Sequence, residues 1–202
     1  MFTKDKQLHQ DSSPHSPHSI IPNLITPNTT VLDIGCNAGY LGKTLKSKKI
    51  ICDGIDINKK FLLIADKYCR HTYQRDLNNP ILNLNPKFNY DYIVLSDILE
   101  HLPRPDLLLI EIKKYLKKGG KLIISLPNIA RLEIRLKLLF GKFEYSPGIL
   151  SEDHLRFFTK NSAQKMFQQC NYKIEKIIPT GLGHKIKIFP TFTAFQFVYI
   201  LS

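Results

Sequence analysis

Short apolar runs alternate with amphipathic stretches along this chain, and that alternation sets the fold class before any single residue is weighed. Runs rich in Val, Ile, Leu and Tyr at 30–34, 51–56, 71–75, 91–96 and 121–126 read as strands. Several are apolar at consecutive positions, as in a sheet buried on both faces. Between and after them, 40–47, 59–68, 104–117 and 160–170 read as helices. Pro105 suits the first turn of the third helix, Gly119-Gly120 is expected to stop it, and Thr159 is placed to cap the fourth. Strand and helix in turn build an α/β fold, a doubly wound and mostly parallel sheet with helices on both faces. Two further apolar runs, 172–178 and 194–201, end the chain across a long connection. Such a pair is expected to add a sixth and a seventh strand. The Leu-rich stretch 131–140 is expected to pack on the sheet or to meet a hydrophobic ligand.

The turn after the first strand carries the most chemistry. Residues 31–42 read Val-Leu-Asp-Ile-Gly-Cys-Asn-Ala-Gly-Tyr-Leu-Gly, with Asp33 two positions before the first glycine. Gly35 and Gly39 let the backbone come close to a ligand and take positive φ. Asp56 closes the second strand, where an open α/β sheet can hold two ribose hydroxyls on a carboxylate. These features point to an adenosine-like cofactor. A nicotinamide enzyme would show Gly-x-Gly-x-x-Gly, and here Asn37 stands where the second glycine belongs. The Tyr and Lys four apart that a short-chain reductase needs on a helix exist only as Tyr172 and Lys176, in a stretch that alternates like a strand.

The segment resembles motif I of the class I S-adenosylmethionine (SAM)-dependent methyltransferases, acid-x-Gly-x-Gly-x-Gly, with Asn37 in place of the middle glycine. Asn tolerates left-handed conformations better than other non-glycine residues, so the departure is mild. The resemblance implies a Rossmann-like seven-stranded sheet with an antiparallel last strand. It also implies that Asp33 and the Gly35–Gly39 backbone surround the amino-acid end of SAM. On the same pattern Asp56 binds the ribose and Asp76, in Gln-Arg-Asp-Leu, faces the adenine amino group. Cys36, Asn37, Ile57, Leu77 and Ser96 complete the expected cofactor set. The likeness runs over roughly residues 12–201, through the strand before Asp-Ile-Leu-Glu-His-Leu-Pro and through Lys-Lys-Gly-Gly-Lys-Leu-Ile-Ile-Ser-Leu-Pro-Asn.

Composition narrows the setting. The chain has 202 residues, 43% of them hydrophobic, which suits one catalytic domain spanning 1–202. Within it, 1–28 is an N-terminal segment whose stretch 9–18, with three histidines, could close over the cofactor; 129–159 is an insertion placed to cover an acceptor. The N-terminus lacks an apolar signal core, and the longest apolar stretch, 188–201, is broken by Pro190, Thr191, Thr193 and Gln196. Four scattered cysteines fit reduced thiols, and a cytoplasmic location is expected. The formal charge of +12 admits an acidic partner, but the lysines are spread over 43–49, 113–121 and 173–187 with no aromatic interleaving. Nucleic acid is therefore not the favoured partner.

Acceptor chemistry rests on a second constellation. SAM is already activated, so an enzyme mainly aligns the nucleophile, but an oxygen nucleophile also needs a base or a Lewis acid. Asp97, Glu100 and His101 follow the fourth strand at i, i+3 and i+4, on one side of a helical turn. His154, in Ser-Glu-Asp-His-Leu-Arg, offers a second imidazole. His101, His154 and Asp97 are the candidate catalytic residues, and Asp97, Glu100, His101 and His154 would suit Mg²⁺ or another divalent cation. The Glu-His-Leu-Pro segment resembles that of ubiquinone-pathway O-methyltransferases. Glu100, His101 and Asp153-His154 also resemble the metal set of small-RNA 2′-O-methyltransferases, with Asp97 replacing a Glu. The expected function is methyl transfer to a small-molecule, lipid-linked or carbohydrate-like acceptor, at oxygen. Metal-assisted RNA 2′-O-methylation and a non-catalytic binding module of the same fold are the alternatives.

Overall fold

A computed structural model of the chain describes residues 13–79, 81–85, 88–186 and 189–202. Seven strands form one sheet: β1 (Thr30–Ile34), β2 (Ile51–Asp56), β3 (Thr72–Gln74), β4 (Tyr90–Ser96), β5 (Leu116–Pro127), β6 (Ile174–Pro179) and β7 (Gln196–Leu201). Their order is β3-β2-β1-β4-β5-β7-β6. The first five pair in parallel, and β7 runs antiparallel to both its neighbours. The expected sheet is the one that forms.

The two-residue period of the strands divides the core between the two faces. Leu32, Ile34, Ile93, Leu95, Leu122, Ile124, Phe197 and Tyr199 point to one face. There they meet Leu108, Leu109 and Ile112 of α4 (Pro105–Ile112) and Ala163 and Phe167 of α6 (Lys160–Gln169). The alternate residues Val31, Val94, Ile123 and Val198 point the other way. They meet Leu45 of α2 (Tyr40–Lys46), Leu62 and Ala65 of α3 (Lys59–Ala65), and Ile21 and Ile25 beyond the short helix α1 (Pro17–Ile20). Thr159 caps α6 in a reciprocal box with Ser162, and Pro105 opens α4, both as the sequence indicates. The buried carboxylate of Asp53 is met by Arg70 through two hydrogen bonds (3.0 and 2.6 Å), by the Tyr90 hydroxyl and by the His71 amide. All four cysteines are free and buried.

Two expectations change. The helix expected to reach 117 ends at Ile112, passes through a short 3₁₀ turn and gives way to β5 at Leu116. Gly119, at φ +79°, lies inside that strand, where the β4–β5 register shifts between Tyr90 and Tyr92. The Gly-Gly pair thus shapes an irregular strand rather than ending a helix. The Leu-rich stretch does form a helix, α5 (Leu132–Leu139), but Ile134 is its only buried residue. Lys176 lies on β6 and the buried Tyr172 donates its hydroxyl proton to the Leu109 carbonyl, so the reductase pair does not exist. No described helix is long and apolar enough to cross a membrane.

Candidate functional site

A cavity of about 710 Å³ opens at the carboxyl ends of β1, β2 and β4, where a doubly wound sheet presents its loops. That volume suits a ligand the size of a nucleoside joined to an amino acid. Its floor is the turn after β1. Gly35 and Gly39 sit at φ +80° and +79°, and Asn37 between them at φ +49°, so asparagine does adopt the left-handed conformation here. The Gly35 and Cys36 amides both donate to the Ile55 carbonyl (2.8 and 2.9 Å), tying the turn to β2. A Cβ on Gly35 would stand 2.0 Å from Ile98 Cδ1, so a side chain there would close the gap between the turn and the post-β4 segment.

The carboxylates converge on this floor. Asp33 is buried on β1, and burial, aided by the negative charge of Asp56, pushes its pKa up to about 7. Asp56 accepts hydrogen bonds from the amides of Asn37 (2.9 Å) and Asn58 (2.8 Å), which fix its orientation at the cavity wall. Asp76 is held by the Asn78 amide and side chain, both at 2.9 Å. Of the residues expected from sequence, Asp33, Gly35, Cys36, Asn37, Asp56, Ile57, Asp76, Leu77 and Ser96 all line the cavity. Gly39 does not; it starts α2 and packs so tightly that a Cβ would come within 2.8 Å of the Ala65 backbone.

Other residues complete the wall. Tyr40, Phe61 and Ile98 supply apolar and aromatic surface, and His18 reaches the wall from the N-terminal segment. Within the histidine-bearing stretch, residues 9–12 lie outside the described residues, and His15 stacks on His184 instead (centroids 4.7 Å apart). The floor and its carboxylates follow from the local sequence pattern, whereas the aromatic walls depend on which helix faces dock.

At the far end of the cavity the post-β4 turn meets the insertion. Asp97 adopts φ +56°, and its Oδ1 accepts from Ser125 Oγ (2.8 Å) and Gln196 Nε2 (2.7 Å). Burial holds its pKa above the ordinary value. Glu100 is buried, and neither of its carboxylate oxygens has a partner. Burial and the charge of Asp97 raise its pKa well above the carboxylate range. The Glu100 carbonyl accepts from the amides of Leu155 and Arg156, which locks the insertion onto this turn. The Arg156 guanidinium donates to the Pro103 carbonyl (Nε–O 2.9 Å) and adds a second clamp between the insertion and this turn.

The two imidazoles lie edge to face, with centroids 4.9 Å apart. His101 Nδ1 faces the Asp153 carbonyl and His154 Nδ1 faces the Ile149 carbonyl, each at 3.0 Å. A carbonyl can only accept, so each Nδ1 carries a proton, and in the neutral ring the lone pair is on Nε2. Burial lowers the pKa of His154 and keeps it neutral. His101 and Asp153 line the cavity, and Asp153 Oδ2 stands 3.7 Å from His101 Nδ1. Glu100, His101 and His154 each bring one potential ligand atom within 4.8 Å of the others; Asp97 stands outside this group.

Known proteins identify the family and the fold. A family of methyltransferase domains matches residues 11–177. Ubiquinone biosynthesis O-methyltransferases from Glaesserella parasuis and Coxiella burnetii are 31% and 30% identical over 106 and 105 residues. These matches cover 48% of this chain and 45% and 43% of the relatives, so the chain matches under half the length of the curated relatives. Among solved structures, a SAM-dependent methyltransferase from Aquifex aeolicus superposes with a TM-score of 0.66 at 17% identity, covering 97% of this chain and 95% of that one. Magnesium protoporphyrin IX methyltransferase from Synechocystis, solved with bound SAH, gives 0.63 at 18% identity, covering 90% and 77%. At such identities the likeness concerns the fold.

Proposed function

The chain belongs to the class I SAM-dependent methyltransferases, and on that premise we propose that it transfers a methyl group to an oxygen of a small-molecule, lipid-linked or carbohydrate-like acceptor. One observation carries the reading: His101 and Asp153 share a cavity wall with Asp33, Asp56 and Asp76. A base and a nucleoside-type floor thus face one space. When bound, SAM supplies an activated methyl on its sulfonium. Asp33 would offer negative charge to its cationic end, and Asp56 and Asp76 would accept from the ribose hydroxyls and the adenine amino group. His101 Nε2 takes the proton of the acceptor hydroxyl, and the Asp153 carboxylate beside Nδ1 stabilises the resulting imidazolium.

A divalent cation is a second use of the same groups, favoured by the unpartnered oxygens of Glu100. A buried carboxylate with two idle oxygens is costly unless a cation meets it. The donor set fits: one carboxylate and two imidazoles whose Nδ1 protons are anchored on backbone carbonyls, as ligating histidines require. Glu100, His101 and His154 would hold the ion, which would acidify the acceptor hydroxyl. The two uses compete for His101 Nε2, so sensitivity to a chelator separates them.

The test is methyl transfer from methyl-labelled SAM into separate lipid, polar-metabolite and RNA fractions. Label is expected in the lipid or polar small-molecule fraction, and His101→Ala is expected to lower kcat about 100-fold or more with binding of S-adenosylhomocysteine (SAH) unchanged. Label confined to RNA would select the RNA alternative. Cofactor binding with no label in any fraction would select the binding module.

A further inference from the structure

The helix α5 is turned inside out. At about 100° per residue, Leu132, Leu136, Leu139 and Phe140 fall on one stripe, and Ile134 lies opposite. Ile134 is the buried member, packed with Ile149 and Leu150, whereas the stripe faces outward, Leu139 being 77% and Phe140 74% exposed. Phe143 and Tyr145 continue the exposed apolar surface past the helix end. On the neighbouring helix α8 (Pro190–Thr193), Phe192 stacks under Arg135 (4.6 Å), and the exposed Phe189 lies 6.3 Å from Phe192. Single exposed leucines are ordinary, but a contiguous patch of this kind marks a surface that meets something.

What it meets follows from its rim. Arg135 borders the stripe on one side and Lys137, with its ion-pair partner Glu133 (3.5 Å), on the other; residues 131–145 carry four cations against two carboxylates, within a chain of formal charge +12. An apolar stripe bordered by long basic side chains is the pattern of a helix lying in a lipid interface, where the cationic heads reach phosphates and the stems remain among acyl chains. The patch also adjoins the reaction site. The Phe143 ring lies 6.3 Å from Phe157, Phe157 lies 6.4 Å from His154, and His154 lies against His101.

We propose that α5 and the segment to Tyr145 dock on an anionic bilayer surface, with Leu139 and Phe140 entering the acyl boundary. The docking is independent of the methyl-transfer reading; where both hold, a lipid-linked acceptor enters beside His154 without crossing bulk water.

The test is co-sedimentation of the full chain with vesicles of phosphatidylglycerol and phosphatidylcholine, and with phosphatidylcholine alone. Binding is expected to the anionic vesicles, to fall steeply between 0.1 and 0.5 M salt on the order of tenfold, and to drop about tenfold or more in the uncharged double variant Leu139→Gln/Phe140→Gln. Both positions are exposed, and an unchanged thermal melt would show that the double variant folds. Phe143→Gln, beyond the helix, serves as a second variant and is expected to give a smaller loss. Equal binding by wild type and double variant would reduce the attraction to diffuse charge and overturn the assignment to α5. Failure to bind anionic vesicles, with sedimentation showing a dimer that the double variant splits, would make the face a contact between copies of this chain. Failure to bind in a protein that is monomeric throughout would likewise overturn the proposal. None of these readouts requires methyl transfer or bound cofactor.

Discussion

Asp33→Asn is expected to make the ligand-free protein more stable at pH 8 while lowering its affinity for SAM and SAH at least tenfold. The carboxyl is buried beside Asp56 and its pKa is pushed from 3.8 to about 7, so the folded state holds the proton that the unfolded chain releases near pH 4. The sign follows from linkage. The contribution of Asp33 to stability is most favourable below pH 4, declines as pH rises between 4 and 7, and stays at its minimum above 7. At about 1.4 kcal/mol per pH unit, the penalty above pH 7 is at most about 4 kcal/mol. Asn has nearly the same shape and no charge, so the gain from the substitution should be absent at pH 4 and largest at pH 8. The same penalty is what a cationic ligand relieves. Wild-type affinity for SAM should therefore rise as pH passes upward through 7, and the variant should lose that dependence. Urea unfolding at pH 5 and pH 8, paired with cofactor titrations, checks both halves. A variant less stable at pH 8, with unchanged affinity, would remove Asp33 from the electrostatics of the site.

The second large effect concerns Glu100. Wild-type protein mixed with Mn²⁺ or Mg²⁺ at about 100 times the dissociation constant should gain about 2.7 kcal/mol, which is a rise in Tm of about 5–10 °C for a chain of this size. Glu100→Gln is expected to abolish that rise. The variant should also melt higher than wild type at neutral pH without metal, because the folded chain must hold on Glu100 a proton that the unfolded chain releases, a penalty the amide does not carry. His154→Ala should remove the metal response too, but without the gain, since it opens a gap against Phe157. If chelator and metal leave both Tm and activity of the wild type unmoved, the cation reading fails and His101 is left as the base.

How far the sequence could be read depends on whether the determinant is local. The strands β1, β2 and β7, the cap at Thr159 and the floor of the cavity follow from neighbours in the chain. Asn37 at φ +49° is such a case, because tolerance of left-handed backbone belongs to the residue itself. The end of α4 is not local. Gly119-Gly120 is as fit to shape an irregular strand as to stop a helix, and pairing with Tyr90 decides for the strand. The direction of α5 is likewise undetermined by its own pattern. An apolar stripe looks the same whether it faces the sheet or solvent, and here Ile134 alone takes the inner side. At the candidate site the helical turn expected to carry Asp97, Glu100 and His101 shrinks to a 3₁₀ turn at Leu99–His101, with Asp97 in a left-handed conformation before it. Only tertiary packing, however, gives Asp97 to Ser125 and Gln196 and leaves Glu100 unpartnered beside His154. Arg156 clamps the insertion because Pro103 presents a carbonyl within reach, a partner set by tertiary packing alone.

The central claim is that the floor built by Asp33, Gly35 and Asp56 is a SAM site, and calorimetric titration of the folded protein with SAH tests it most directly. Saturable binding of one SAH per chain, with a dissociation constant in the micromolar range, is the predicted result. No heat up to millimolar SAH, on protein shown by its thermal melt to be folded, would contradict it.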